Sequence, residues 1–310
     1  MRGMHTRSRA LVTGVVLWLA TSGCLKKMAI ETQIGAARDA RRAIATLHDY
    51  EIAREVALSG LGQLEMLHYL APDDENALML LLQGWTGAAS GFIEDEWEAA
   101  LDAGQLDVAE YHRRRARAAY ERGLYYGLLL LDARASGFEA VRGNADRLEA
   151  WLGARLDDRE SAELLLWLGQ AWLGRVNMSR DDAATVAERY VGVAFLERSI
   201  ALAPDDSFGL ARTILAGYLA ASGDVERGRQ ELAAARAAHD GRFLPWRLVE
   251  ARIHCEEKDQ AAWTASLEAI LDAGDPLPEA RLQNVIAMRR ARRYLAGPRW
   301  REECGFASAE

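Results

Sequence analysis

Cys24 is the residue of this 310-residue chain best placed for covalent chemistry. It follows Ala20-Thr21-Ser22-Gly23, a run of small side chains. Upstream stands the uncharged stretch Leu11 to Ala20, and ahead of it Arg2, Arg7 and Arg9 with no acid among them. A basic start, a short apolar stretch and small residues at a cut are the layout of a secretory leader. A cysteine directly after the small run makes the site a lipobox. There the thiol takes a diacylglyceryl group, and cleavage leaves the cysteine as the new N-terminus. The apolar stretch is too short to span a bilayer as a helix, which takes about 20 residues. We therefore expect a signal peptide over 1–23, then a lipidated N-terminus and short linker over 24–30. The expected site is the cell envelope, facing the periplasm. Leu25, in place of Asp, favours the outer membrane.

Other residues capable of chemistry are not grouped for it. The chain has no HExxH, no P-loop, no GxSxG elbow and no CxxC pair. His254-Cys255-Glu256-Glu257 holds metal-ligand types, but adjacent helix residues point in different directions. An ordinary amphipathic helix is expected there. No catalytic residue, metal or cofactor is expected, and the chain does not read as an enzyme. Cys255 and Cys304 are too few for a disulfide framework. Cys304 falls in a stretch expected to be a loose tail, so two free or poorly paired thiols are expected, although an oxidising compartment would allow pairing.

Charge narrows the partners. Losing Arg2, Arg7 and Arg9 with the leader takes the formal net charge from −8 to −11. Such a body repels phosphate backbones, so nucleic acid is not expected as a partner. Two basic clusters stand out, His112-Arg113-Arg114-Arg115 and Arg289-Arg290-Ala291-Arg292-Arg293. They read as solvated helix faces paired with neighbouring acids, ahead of docking patches for an acidic partner.

Tryptophans offer the one candidate small-ligand site. Trp85 sits beside Gly84 and Gly87, Trp172 between Gly169 and Gly174, and Trp167 one turn before Trp172. Aromatic residues at such spacing usually pack a core. The alternative is an apolar cavity lined by Trp85, Trp167 and Trp172 with Asn177 at its mouth. After that helix, Asn177-Met178-Ser179-Arg180-Asp181-Asp182 is polar, and Ser179 or Asp181 is placed to cap the next helix.

The elements that must position these residues are helices. The chain is rich in Ala, Leu, Arg and Glu, has six prolines, and shows hardly any alternating run. Leu78–Leu82 and Leu128–Leu131 read as buried helix segments. The motif Leu70-Ala71-Pro72-Asp73-Asp74 recurs as Leu202-Ala203-Pro204-Asp205-Asp206, 132 residues on. Each copy is followed by a glycine–aromatic pair, Gly84-Trp85 and Gly217-Tyr218. Proline ending one helix and acids opening the next is the grammar of the tetratricopeptide repeat, here degenerate. Leu164–Trp172 and Ala194–Ile200 add another pair of helices. The spacing then predicts helices over Val225–Ala238, Leu244–Glu257, Gln260–Ala273 and Pro278–Ala296. The expected fold is all-α: a compact, solenoid-like array of antiparallel helical hairpins over 31–297, with room for a central apolar cavity and a loose tail over 298–310.

Several of these stretches, taken in order, resemble the T-component lipoproteins of TRAP transporters. They are Gly84-Trp85-Thr86-Gly87, Phe92-Ile93-Glu94-Asp95, Trp167-Leu168-Gly169-Gln170-Ala171-Trp172 and Asn177–Asp182. Leu202-Ala203-Pro204-Asp205, Gly241-Arg242-Phe243-Leu244 and Arg281–Ala291 follow. The chain departs from the family at Ser222-Gly223-Asp224, where a longer loop is common. The resemblance implies an accessory component of solute uptake. Its partner would be the solute-binding P component, its ligand a hydrophobic small molecule, its oligomer a trimer, and its bilayer contact the acyl anchor alone. A general helical-repeat scaffold in the cell envelope is the competing reading.

Overall fold

The computed structural model describes residues 28–306; Cys24 and the leader lie outside them. Those residues form helices, with no strand among them. Helix α1 (28–45) leads into α2 (Tyr50–Leu70), and Ala71-Pro72-Asp73-Asp74 turns the chain into α3 (Glu75–Ala88). A π-turn, Ala89–Ile93, joins α3 to α4 (Glu94–Asp102). Helix α5 (Leu106–Arg134) is followed by the short α6 (Phe138–Val141) and α7 (Ala145–Arg155). Helices α8 (Ser161–Asn177) and α10 (Arg189–Leu202) pack together around the short α9 (Ala183–Ala187). The pairs α11 (Leu210–Ala221) with α12 (Val225–Ala238), and α13 (Pro245–Glu256) with α14 (Gln260–Leu271), come next. Helices α15 (Arg281–Ala296) and α16 (Pro298–Glu303) end the described chain.

Local chemistry explains the helix starts. Asp49, Asp74 and Asp259 each accept the backbone N–H three residues on, at 2.9 Å, which satisfies an orphan donor of the first turn. The two copies of the repeated motif differ at this point. Asp74 caps α3 directly. In the second copy a 3-10 turn (Asp206–Gly209) intervenes, with Ser207 and Phe208 at positive φ, before α11 begins. Before α9 the cap is Asp182, not Ser179 or Asp181. Ser179 is buried, and the Asp181 carboxylate is held by Arg113 at 2.9 Å instead.

Glycines set how closely the helices approach. A Cβ on Gly169 would meet Leu196 at 2.7 Å, and one on Gly192 would meet Leu173 at 2.8 Å, so α8 and α10 cross at near backbone contact. Leu78, Leu81 and Leu82 are buried as expected, with Leu130 and Leu131. Leu129 is not: it lies on the outer face of α5, 40% exposed.

The C-terminal helices return to the first hairpin. Leu282 of α15 packs with Tyr50, Ala53 and Phe92, and the Arg281 guanidinium donates to the Thr46 carbonyl at 2.9 Å. Two expected boundaries fall inside folded structure. Residues 28–30, expected in the linker, belong to α1, and Ile30 is buried. Residues 298–303, expected in a loose tail, form α16. The reason is a disulfide between Cys255 and Cys304, which corrects the expectation of unpaired thiols. It fixes the end of the chain to α13, and Phe306 then packs edge-on against Trp263.

Candidate functional site

The densest chemistry lies where α4 faces α15. Helix α4 places Glu94, Asp95, Glu98 and Asp102 along one side, because residues three and four apart share a helix face. Helix α15 answers with Arg289, Arg290 and Arg293 at matching spacing. Arg289 Nε lies 2.7 Å from Asp95 Oδ2, and Arg293 Nε lies 2.8 Å from Asp102 Oδ2. Arg293 also pairs with Asp95 and Glu98. Arg290 reaches Glu98 at 3.5 Å and Glu94 at 3.8 Å. From outside the two helices, Arg252 approaches Glu98 at 3.5 Å and Arg299 binds Asp102 at 2.6 Å.

This cluster is interior. Asp95 is 1% exposed and Glu98 4%, so their charges must be matched within the protein. Three tyrosines complete the matching. Tyr50 donates to Asp95 at 3.0 Å, Tyr294 to Glu98 at 3.1 Å, and Tyr120 to Glu94 at 2.6 Å. Burial works to raise the Asp95 carboxyl, but Arg293, Arg290 and Arg289 outweigh it and hold it below the ordinary range. Glu98 is held down in the same way against burial, by Arg290, Arg252 and Arg293. Glu94 differs. Burial pushes its carboxyl up, and Arg290 and Tyr120 only partly offset this.

The π-turn feeds this cluster. A π-turn widens the helix locally and leaves a carbonyl without its usual partner. Arg290 Nη2 donates to the Ser90 carbonyl at 2.9 Å, and Gln170 Nε2 donates to the Ser90 hydroxyl at 3.1 Å. Gly91 lets α15 come close, since a Cβ there would meet Ile286 at 3.2 Å. The Arg289–Arg293 cluster is thus paired with acids as expected, but Arg290 and Arg293 are enclosed rather than solvated. Sequence reasoning missed the acids of α4. Their period-four spacing, matching that of the arginines, was the available signal.

A polar cleft of about 390 Å³ opens above the cluster. Its walls are the starts of α2 and α5, together with α4 and α15, and include Tyr50, Arg54, Asp95, Glu96, His112 and Arg289. Glu96 gathers Arg54, Arg115 at 2.7 Å and His112 at 3.1 Å. The second basic cluster is therefore paired with acids too. Its Arg113 holds Glu110 at 2.7 Å as well as Asp181, while Arg114 is 69% exposed. The cleft combines charges of both signs that already satisfy one another, and Val108 is exposed in its wall. Ile52 and Val56 near the start of α2, and Leu106 and Tyr111 near the start of α5, are also exposed.

The four residues expected to line an apolar cavity lie elsewhere, and none borders this cleft. Trp172 is 2% exposed, packed against Phe138 and Phe195, and its indole N–H donates to the Glu188 carbonyl at 3.0 Å. Trp167 is on the same helix, half-buried, with its indole nitrogen enclosed and unpartnered. Trp85 is half-buried and donates to Glu65 at 2.8 Å. Burial would raise the Glu65 carboxyl, but Arg122, Tyr126 and Trp85 bring it down to about 2. Asn177 accepts from Arg180 Nε at 3.0 Å. The structure joins Trp167, Trp172 and Asn177 on α8 and leaves Trp85 on α3.

Among the described residues no helix is long and apolar enough to cross a membrane, and no cluster has the makings of a metal site. No curated protein matches the chain. Residues 47–299 match the family described as the TRAP transporter T-component. That span holds the buried cluster and the cleft, and the chain belongs to the TRAP transporter T-component family.

Proposed function

We propose that this T-component is a lipoprotein anchored through Cys24, facing the periplasm, that docks the solute-binding P component of its transporter. The observation that carries the docking is the exposure of large apolar side chains near the starts of α2 and α5. Leu106 is 69% exposed, Tyr111 54% and Ile52 53%. Exposed apolar groups ringed by polar ones mark interaction surfaces. Glu96, bound by Arg54 of α2 and by His112 and Arg115 of α5, ties the two helix starts together. A buried disulfide supports the location, because such bonds persist in oxidising compartments and are rare in the cytosol. Trp172 and its neighbours act in this reading as packing, and docking needs no small hydrophobic ligand.

The test is affinity for the solute-binding P component of the transporter. The Leu106→Asp/Tyr111→Asp double variant is expected to weaken binding by at least about tenfold, the usual scale for central interface residues. Both side chains are exposed, so folding should be unaffected. Unchanged affinity would remove Leu106 and Tyr111 from the interface.

A further inference from the structure

The exposed apolar residues fall into separate groups, and the second group lies where the chain enters the structure. α2 and α5 both pack against α3 and run in one direction. Arg54 and Arg115 meet at Glu96 near their starts, and Arg122 binds Glu65 at 2.6 Å farther along. The exposed apolar residues near the two helix starts therefore occupy one end of this pair. At the other end, the last turn of α2 exposes Met66 (63%), Tyr69 (85%) and Leu70 (49%). Helix α1 begins beside that turn, because Ile30 and Ile34 pack against Leu64, Leu67 and Ala71. Met28, at its start, is 61% exposed.

The chain outside the structure ends at this point. Cys24 stands four residues before Met28, a span of at most about 14 Å even when extended. Lys26 and Lys27 fill it, two of only three lysines in the chain. An acylated Cys24 would hold this end of the body within reach of the headgroup layer. There aromatic and apolar side chains gain by entering, and lysines gain from lipid phosphates. Glu31 lies on the first turn of α1, and in the turn from α2 to α3 the carboxylates are largely committed within the protein. Asp74 caps α3 at 2.9 Å and Glu75 is paired with Arg134 at 2.9 Å, leaving Asp73 as the remaining acid of that turn.

We propose that Met28, Met66, Tyr69 and Leu70 form a seat that rests in the surface of the bilayer. The body then does not hang from its acyl chains but is oriented by them. The starts of α2 and α5 are held away from the membrane by most of the length of α2, about 27 Å from residue 52 to residue 70 at 1.5 Å per residue. The seat rests on lipidation of Cys24 and adds a direct lipid contact to that anchor.

The test uses the full lipidated protein carrying Tyr69→Cys or, as the distal control, Tyr111→Cys. With Cys24 acylated and Cys255 bonded to Cys304, the introduced thiol is the free one for a polarity-sensitive fluorophore. Each form is reconstituted into phosphatidylethanolamine–phosphatidylglycerol vesicles, with and without nitroxide-labelled lipid. The probe at 69 is expected to shift to the blue and lose most of its emission to the nitroxide lipid, while the probe at 111 stays in water. Intact mass is measured on the same samples. Acyl mass present with a water-exposed probe at 69 would overturn the seat alone. Acyl mass absent would overturn the anchor and the seat together. A blue shift at 69 that nitroxide lipid does not quench, and that grows with protein concentration, would give this surface to a second copy of the chain and overturn the seat.

Discussion

The Tyr120 hydroxyl reaches Glu94 at 2.6 Å because Gly174, on the facing helix, has no side chain. A Cβ at Gly174 would fall 2.3 Å from the Tyr120 ring. α5 and α4 are thus tied by a hydrogen bond for which α8 leaves room at Gly174.

Gly174→Ala is accordingly expected to destabilise the protein by about 1–3 kcal/mol, the usual cost of overpacking a closed interior. Gly153→Ala is the control. It is also helical, and a Cβ there meets nothing within 4 Å, so it should be neutral or slightly stabilising. Thermal melts compare the two. Equal melting of both variants and wild type would show that Tyr120 moves aside without cost.

The buried carboxylates have opposite pH signatures. Asp95 and Glu98 are held below the ordinary carboxyl range, so their stabilisation is present above that range. It is lost as pH falls through their folded-state values. Glu94 is raised, so the fold favours its protonated form, and that advantage disappears as pH rises towards its folded-state value. Glu98→Gln should therefore cost about 3–5 kcal/mol at neutral pH, as when one partner of a buried pair is removed, and much less in acid. Glu94→Gln should leave neutral-pH stability unchanged or raise it. Denaturant midpoints across pH check both. A Glu94→Gln variant weakened at neutral pH as much as Glu98→Gln would contradict the assignment.

Reduction should loosen the end of the chain. The Cys255–Cys304 bond spans 49 residues, and closing such a loop stabilises by about 4 kcal/mol on a chain-entropy estimate. It also holds α16 where Trp300 lies 4.2 Å from the Tyr294 ring and Arg299 meets Asp102. Cys304→Ser, or reductant added to wild type, should lower Tm and speed amide exchange in α16 before the remainder of the body. A Tm unmoved by reductant would show that packing alone holds α16.

Much of the scaffold was legible because it is written in local patterns. The helix expected over Val225–Ala238 is observed over those residues, since Ser222-Gly223-Asp224 is a compact turn and Asp224 a cap. Pro245 opens α13, one residue inside the expected start. What stayed hidden depends on partners far apart in sequence. Cys304 looked loose because Arg299, Arg301, Glu302 and Glu303 around it are polar, and only the meeting of α13 with α16 reveals its partner. Arg290 and Arg293 looked solvated because their acids lie almost 200 residues earlier. The glycines that flank Trp172 in sequence face Leu196 and Tyr120, contacts that join helices far apart in the chain. The cleft was not anticipated, because its walls come from both ends of the chain.

The central claim is that this T-component works on the membrane surface by holding a solute-binding partner. Native mass spectrometry of the full lipidated protein, extracted gently from its own membrane, addresses that claim most directly. The account predicts acyl mass on Cys24 and a complex containing the solute-binding P component, with this chain present as a trimer. A strict monomer carrying neither lipid nor partner would contradict it.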